Sequence, residues 1–255
     1  MFCLLSVCSA GSLTMEQRLW LTDASAKGRY VSSSFTGQLD LEKDLGFKNS
    51  KLPQSRILWD INDSHSIRLD YLSGKFMGSA DRTERREFLG GLISREIMHH
   101  AEEQVDIRFW KVGWIHYSSP RPEDKIRVGF LFDIKTVSLK GTATVTSMME
   151  NTSPFITRGQ TSWQMTSPTI GVVIQGKPHD RLGYMIECAG LTNGKNGFMF
   201  ADYEASVHWL MDAKRDTSLV AGYHVIHYKN YRSSEKSQLD EVKFSGAFYG
   251  IEKKF

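Results

Sequence analysis

The stretch Ile126-Arg-Val-Gly-Phe-Leu-Phe-Asp-Ile134 decides the fold. Ile126, Val128, Phe130, Phe132 and Ile134 recur at every second position, set against Arg127, Gly129 and Asp133. Successive side chains of an extended strand point to opposite faces, so this spacing gathers large apolar groups on one face and charge on the other. A helix would scatter the same residues around its axis.

Working outward, the period of two recurs. Trp110, Val112 and Trp114 alternate with Lys111 and Gly113, and Ile67, Leu69 and Tyr71 with Arg68 and Asp70. Leu182, Tyr184, Ile186 and Cys188 alternate with Gly183 and Glu187. Tyr203, Ala205, Val207, Trp209 and Met211 oppose Glu204, Ser206 and His208, and Leu219, Ala221, Tyr223 and Val225 share a face of the next run. Turn-rich links at 62–65, 118–124, 176–180 and 212–216 are short, whereas 36–51, 81–99, 149–162, 191–197 and 230–239 run mostly longer. The pattern predicts ten antiparallel strands, with eight as the alternative: 17–35, 52–61, 65–80, 100–117, 125–147, 163–175, 181–190, 198–211, 217–229 and 240–255. The segment 84–104 also admits a short helix. Short turns on one side, long loops on the other and an even count are the pattern of an all-β, up-and-down transmembrane barrel.

The averages hide this. The 255 residues are 40% hydrophobic and 24% charged, and mean hydropathy is -0.34. No apolar run of 18 residues occurs, which excludes a helical span but not a barrel. A net charge of +3 leaves no nucleic-acid footprint. Residues 1–14 read as a partial signal peptide or N-terminal extension, because Met1–Ala10 is apolar and ends in small residues but lacks a basic start. Residues 15–255 are expected to form one barrel domain. Loss of residues 1–10 would leave Cys188 as the sole cysteine, and no spacing suits a metal.

A soluble barrel also alternates, but it turns its apolar face inward. Strands that can reach 11 or more residues favour the membrane arrangement. So does a second face carrying Arg68, Asp70, Lys111, Arg127, Asp133, Glu187 and Glu204 as a lumenal network, and so does the terminal aromatic Phe255. Trp110, Trp114, Tyr203, Trp209, Tyr223 and Phe255 then read as interfacial girdles rather than a ligand box.

His65-Ser-Ile-Arg-Leu-Asp-Tyr-Leu72, Phe109–Tyr117, Ser167–Val172, Thr36–Gly46 and the closing Val242–Phe255 together resemble a bacterial outer-membrane β-barrel protein of a largely uncharacterised Gram-negative group. The resemblance covers most of 17–255. It implies an outer-membrane location, contact with lipid and lipopolysaccharide, and recognition by the barrel assembly machinery through Gly250 and Phe255, a pattern from which Lys253 departs.

Chemistry is sparser. Ser206, His208 and Glu204 share one face, and a regular hairpin would bring Ser206 near His224; a serine, a histidine and a carboxylate are what nucleophilic catalysis needs. Lipid A deacylases of outer membranes would carry such groups on the lipid-facing side, so polar lumen packing is the simpler account. His99-His100-Ala-Glu102-Glu103 holds metal-ligand types but reads more simply as a solvated cluster, and Asp106 with these histidines falls short of an omptin-type site. Arg82, Arg85, Arg86 and Arg95, mixed with Glu84 and Glu87, either meet lipopolysaccharide phosphates or form a solvated loop. No cofactor is expected, and a monomer is. The leading expectation is a structural or binding barrel without catalysis; the alternatives are a narrow channel for ions or small solutes, an enzyme acting on lipid A or peptides, and an exported soluble barrel.

Overall fold

The computed structural model describes residues 11–32, 35–40, 50–88, 93–118, 125–149, 153–192, 197–211, 216–230 and 238–255. Regular structure among them is entirely β: β1 (Ser12–Ser32), β2 (Phe35–Asp40), β3 (Ser50–Asn62), β4 (His65–Phe88), β5 (Ile93–Tyr117), β6 (Ile126–Met149), β7 (Phe155–His179), β8 (Leu182–Thr192), β9 (Phe198–Leu210), β10 (Thr217–Asn230) and β11 (Gln238–Lys254). From β3 to β11 each strand pairs antiparallel with the next, and β3 pairs β1. A final ladder from Thr14↔Lys254 to Arg29↔Gln238 joins β1 to β11 and closes the sheet into a ring. Closure removes the edges that an open sheet would leave unpaired.

Two expectations need correction. Eleven strands are present among the described residues, not ten or eight. The addition is β2, which folds back on the far end of β1 from Lys27↔Asp40 to Ser32↔Phe35 and pairs with no other strand. Six residues inside a stretch read as strand end and loop carry too little alternation to announce a strand. Nor is there a helix among the described residues of 84–104. β4 and β5 continue as a hairpin, paired from His65↔His116 to Phe88↔Ile93, because a continuous ladder outweighs the weak helical preference of an Arg/Glu-rich run. β6 and β7 are extended similarly, so much of the expected loops at 81–99 and 149–162 is paired strand.

The parity question is settled by exposure. Phe130, Phe132, Ile134, Ile170, Val172 and Ile251 point outward, with Ile170 64% exposed, while Asp133, Lys135, Glu187 and Asp202 point inward at 0%. The sheet is therefore apolar outside and charged inside, the reverse of a soluble barrel. On β6 the outward apolar run Ile126–Ile134 is nine residues, within the roughly 9–11 that a tilted strand needs to cross a bilayer.

The interior is layered. Toward the long hairpins, Phe76, Ile107, Phe109, Val137, Phe200 and Phe244 belong to one apolar cluster with Trp20 and Phe248. Toward the short turns, Ile115, Tyr117, Leu131, Val173 and Met185 form another. Between them lies a charged layer. At the closing seam two glycines admit close approach: a Cβ on Gly246 would stand 1.8 Å from the Leu21 carbonyl oxygen, and one on Gly250 would stand 2.1 Å from that of Gln17.

Candidate functional site: a charge-lined lumen

Register explains how the charged layer assembles. Arg56 lies directly opposite Asp70, and Asp70 opposite Lys111, so neighbouring strands already match charge. Two pairs do not match: Lys111 faces Lys135, and Glu187 faces Glu204. Partners from across the lumen relieve both. Asp202 Oδ2 sits 3.1 Å from Lys111 Nζ and 2.7 Å from Lys135 Nζ. Glu204 accepts from Arg18 Nη1 and Arg56 Nη1, each at 2.8 Å, while Glu187 accepts from Arg68 Nη2 at 3.0 Å and also pairs with Lys111. Arg56 grips Asp70 with Nε and Nη2 at 2.8 and 2.9 Å. Glu16 holds Arg18, and Asp133 lies 3.3 Å from Arg68 and 3.2 Å from Lys135. Charges this deep are costly unless paired and hydrogen-bonded on several sides. The network ties opposite walls of the barrel together.

Of the predicted lumenal residues, Arg68, Asp70, Lys111, Asp133, Glu187 and Glu204 meet in this layer. Arg127 does not: its guanidinium lies 4.0 Å over the Tyr117 ring at the turn end and donates to the Asp63 carbonyl oxygen. The sequence reading missed Glu16, Arg18, Arg56, Lys135 and Asp202. Lys135 and Asp202 stand on the same parity as Asp133 and Glu204, so the signal for them was present. The blurred alternation of β1 hid Glu16 and Arg18.

The Ser206 constellation forms, but with other partners. His224 is stacked on Trp20 at 4.6 Å and bonds Asp202 at 2.8 Å, and Glu204 is held by arginines. Ser206 Oγ instead lies 3.0 Å from His208 Nε2, and His208 Nδ1 lies 3.3 Å from Glu252 Oε2. His208 and Glu252 line a cavity of about 330 Å³ at the turn end.

Trp110, Trp114, Tyr203, Trp209, Tyr223 and Phe255 all point outward and are 44–65% exposed. Trp114, Trp209 and Phe255 stand near the short-turn end, and Trp110, Tyr203 and Tyr223 several residues further along their strands. Trp110 packs on Tyr71 with ring centroids 4.2 Å apart. On the outer hairpin, His100 Nδ1 is 2.6 Å from Asp81, with Glu102 3.6 Å from Nε2; the Asp81 hydrogen bond raises the histidine above its ordinary range. Asp106 lies 3.7 Å from Lys75. The side chains of His99, Arg82, Arg85, Arg86, Arg95, Glu84 and Glu87 lie outside the described residues, as do Cys3 and Cys8. Cys188 is free and exposed on the outer face.

No protein-family model matches the chain, and no curated protein matches it. Among solved structures it is similar to the CymD monoaromatic hydrocarbon channel, at 10% identity over 96% of this chain and 88% of that one, with a TM-score of 0.42. It is similar to the toluene transporter TodX of Pseudomonas putida at 7% identity over 95% and 89%, TM-score 0.37. It is also similar to Ail, the attachment invasion locus protein of Yersinia pestis, at 11% identity over 96% and 97%, TM-score 0.33.

Proposed function

We propose that the chain is a Gram-negative outer-membrane barrel with a sealed lumen, which acts as a structural or binding scaffold for the long hairpins it holds at the cell surface. The observation that carries this is the inverted distribution of side chains: an apolar outer belt around an ion-paired interior. Water would make such a belt unfavourable, whereas lipid stabilises it at roughly 25 cal/mol per Å² of apolar surface removed from water. Just beyond the belt on the hairpin side, Lys27, Lys51, Lys75, Arg108, Lys140 and Lys243 point outward and are exposed. This cationic collar suits the phosphates of lipopolysaccharide and orients the hairpins outward. Gly250 sits on the closing strand and Phe255 directly after it, where assembly recognition would act. A closed sheet needs no partner copy to satisfy its edges, so a monomer suffices.

The charged layer and the two apolar clusters that flank it argue against a conduit. Purified protein reconstituted in planar bilayers is expected to show no unitary conductance at any applied voltage. Steady conductance steps would instead support the narrow-channel alternative. Heat-dependent gel migration of the membrane fraction tests the barrel itself, and release by a carbonate wash would refute it.

A further inference from the structure

We propose that Ser206, His208 and Glu252 form a hydrolytic relay beside the turn-end cavity, which His208 and Glu252 line, acting on small acyl esters. This goes beyond the scaffold reading and rests on a different part of the molecule. The relay requires the tautomer with the His208 proton on Nδ1, the nitrogen that faces Glu252. Glu252 Oε2, 3.3 Å from His208 Nδ1, accepts the proton on that nitrogen. Nε2 is then left as the acceptor for the Ser206 hydroxyl at 3.0 Å. A serine is a weak nucleophile until such a base takes its proton.

Burial and access are divided between the three groups. Ser206 is 5% exposed, and its register partner Met185 lines the cavity along with His208 and Glu252. A volume of about 330 Å³ fits a small ligand. Charges of both signs line the same space, Arg127 and Lys177 beside Asp216 and Glu16, and Arg127 Nε is buried without a hydrogen-bond partner. Glu204, the carboxylate expected from strand parity, is consumed by Arg18 and Arg56, whereas Glu252 reaches His208 from β11, with β10 between the two strands.

In the reaction, Ser206 Oγ attacks the ester carbonyl carbon while His208 Nε2 takes the hydroxyl proton. The bond to the leaving alkoxide breaks, and the histidine returns the proton to it, releasing an alcohol and leaving an acyl-serine. Water then attacks that ester, His208 again taking a proton, and the acid departs as Ser206 is regenerated. Water is the sole co-reactant, and no electrons are transferred.

The test uses the full-length barrel folded in detergent micelles and a fluorophosphonate probe. Labelling is expected at Ser206, located by tandem mass spectrometry. It is expected to vanish in Ser206→Ala and to slow by about 100-fold or more in His208→Gln. The exposed-serine control Ser118→Ala should label as the parent does. Glu252 acts through His208, so Glu252→Gln should alter the pH profile of labelling and Glu252→Asp should recover part of the rate. Each variant must retain the heat-shifted folded band, and an unfolded one is replaced by Ser206→Cys or His208→Asn. Absence of label on the folded parent, or an equal rate in a folded Ser206 variant, would overturn the proposal.

Discussion

At the scale of single residues, Arg68 shows what holds the lumen together. It reaches Glu187 on β8, Asp133 on β6 and the edge of Asp70 on its own strand, at 1% exposure. Replacing it by leucine would strand carboxylates in a dry interior. Arg68→Leu is therefore expected to cost about 3–5 kcal/mol in urea unfolding followed by heat-shift gels. Lys75→Ala, at an exposed ion pair, should cost at most about 1 kcal/mol. An unchanged midpoint for Arg68→Leu would mean that water reaches the layer. His100 makes a different prediction. Its hydrogen bond to Asp81 raises its affinity for a proton in the folded state, so the bond stabilises the outer hairpin fully at low pH. That contribution is lost as pH rises through the folded-state value. Amide exchange in β4 and β5 beyond Gly78 should thus quicken from about pH 5 to about pH 8 beyond the intrinsic increase, and His100→Ala should abolish the excess.

At the scale of elements, the β1–β11 seam is the step that closes the ring. Gly246 lets Trp20 Nε1 donate to its carbonyl oxygen at 3.0 Å, and a Cβ there would collide with the backbone of β1. Gly246→Val is expected to eliminate the heat-shifted band, while Ala247→Val, one residue on and facing outward, should leave it intact. Much of this architecture was legible in the sequence, because a half-buried strand writes its environment at every second position. Ile126–Ile134 and Tyr203–Met211 announce their faces without ambiguity. What stayed hidden depended on partners outside the strand. Among the described residues β2 pairs only with β1. The hairpin extension of β4 and β5 is stabilised by a ladder that no local pattern reveals. Glu252 joins His208 only because of the tertiary register, and Arg18 and Arg56 gain their meaning from Glu204, far away in the chain.

At the scale of the whole molecule, composition and location are reconciled by parity. The same residues that average to a polar chain sort into an apolar exterior and an ion-paired interior, so the interior charge need not meet the surroundings. If lipid is what surrounds the belt, outward residues of β6 and β7 must sense it and the collar above must not. The direct measurement places an environment-sensitive nitrobenzoxadiazole label on cysteine in Phe130→Cys, Val172→Cys and Lys140→Cys, each in a Cys3→Ser, Cys8→Ser, Cys188→Ser background reconstituted in liposomes. The account predicts blue-shifted emission quenched by doxyl-labelled lipid at positions 130 and 172, and iodide quenching at position 140. Iodide quenching at positions 130 and 172, with no effect of the doxyl lipid, would contradict it.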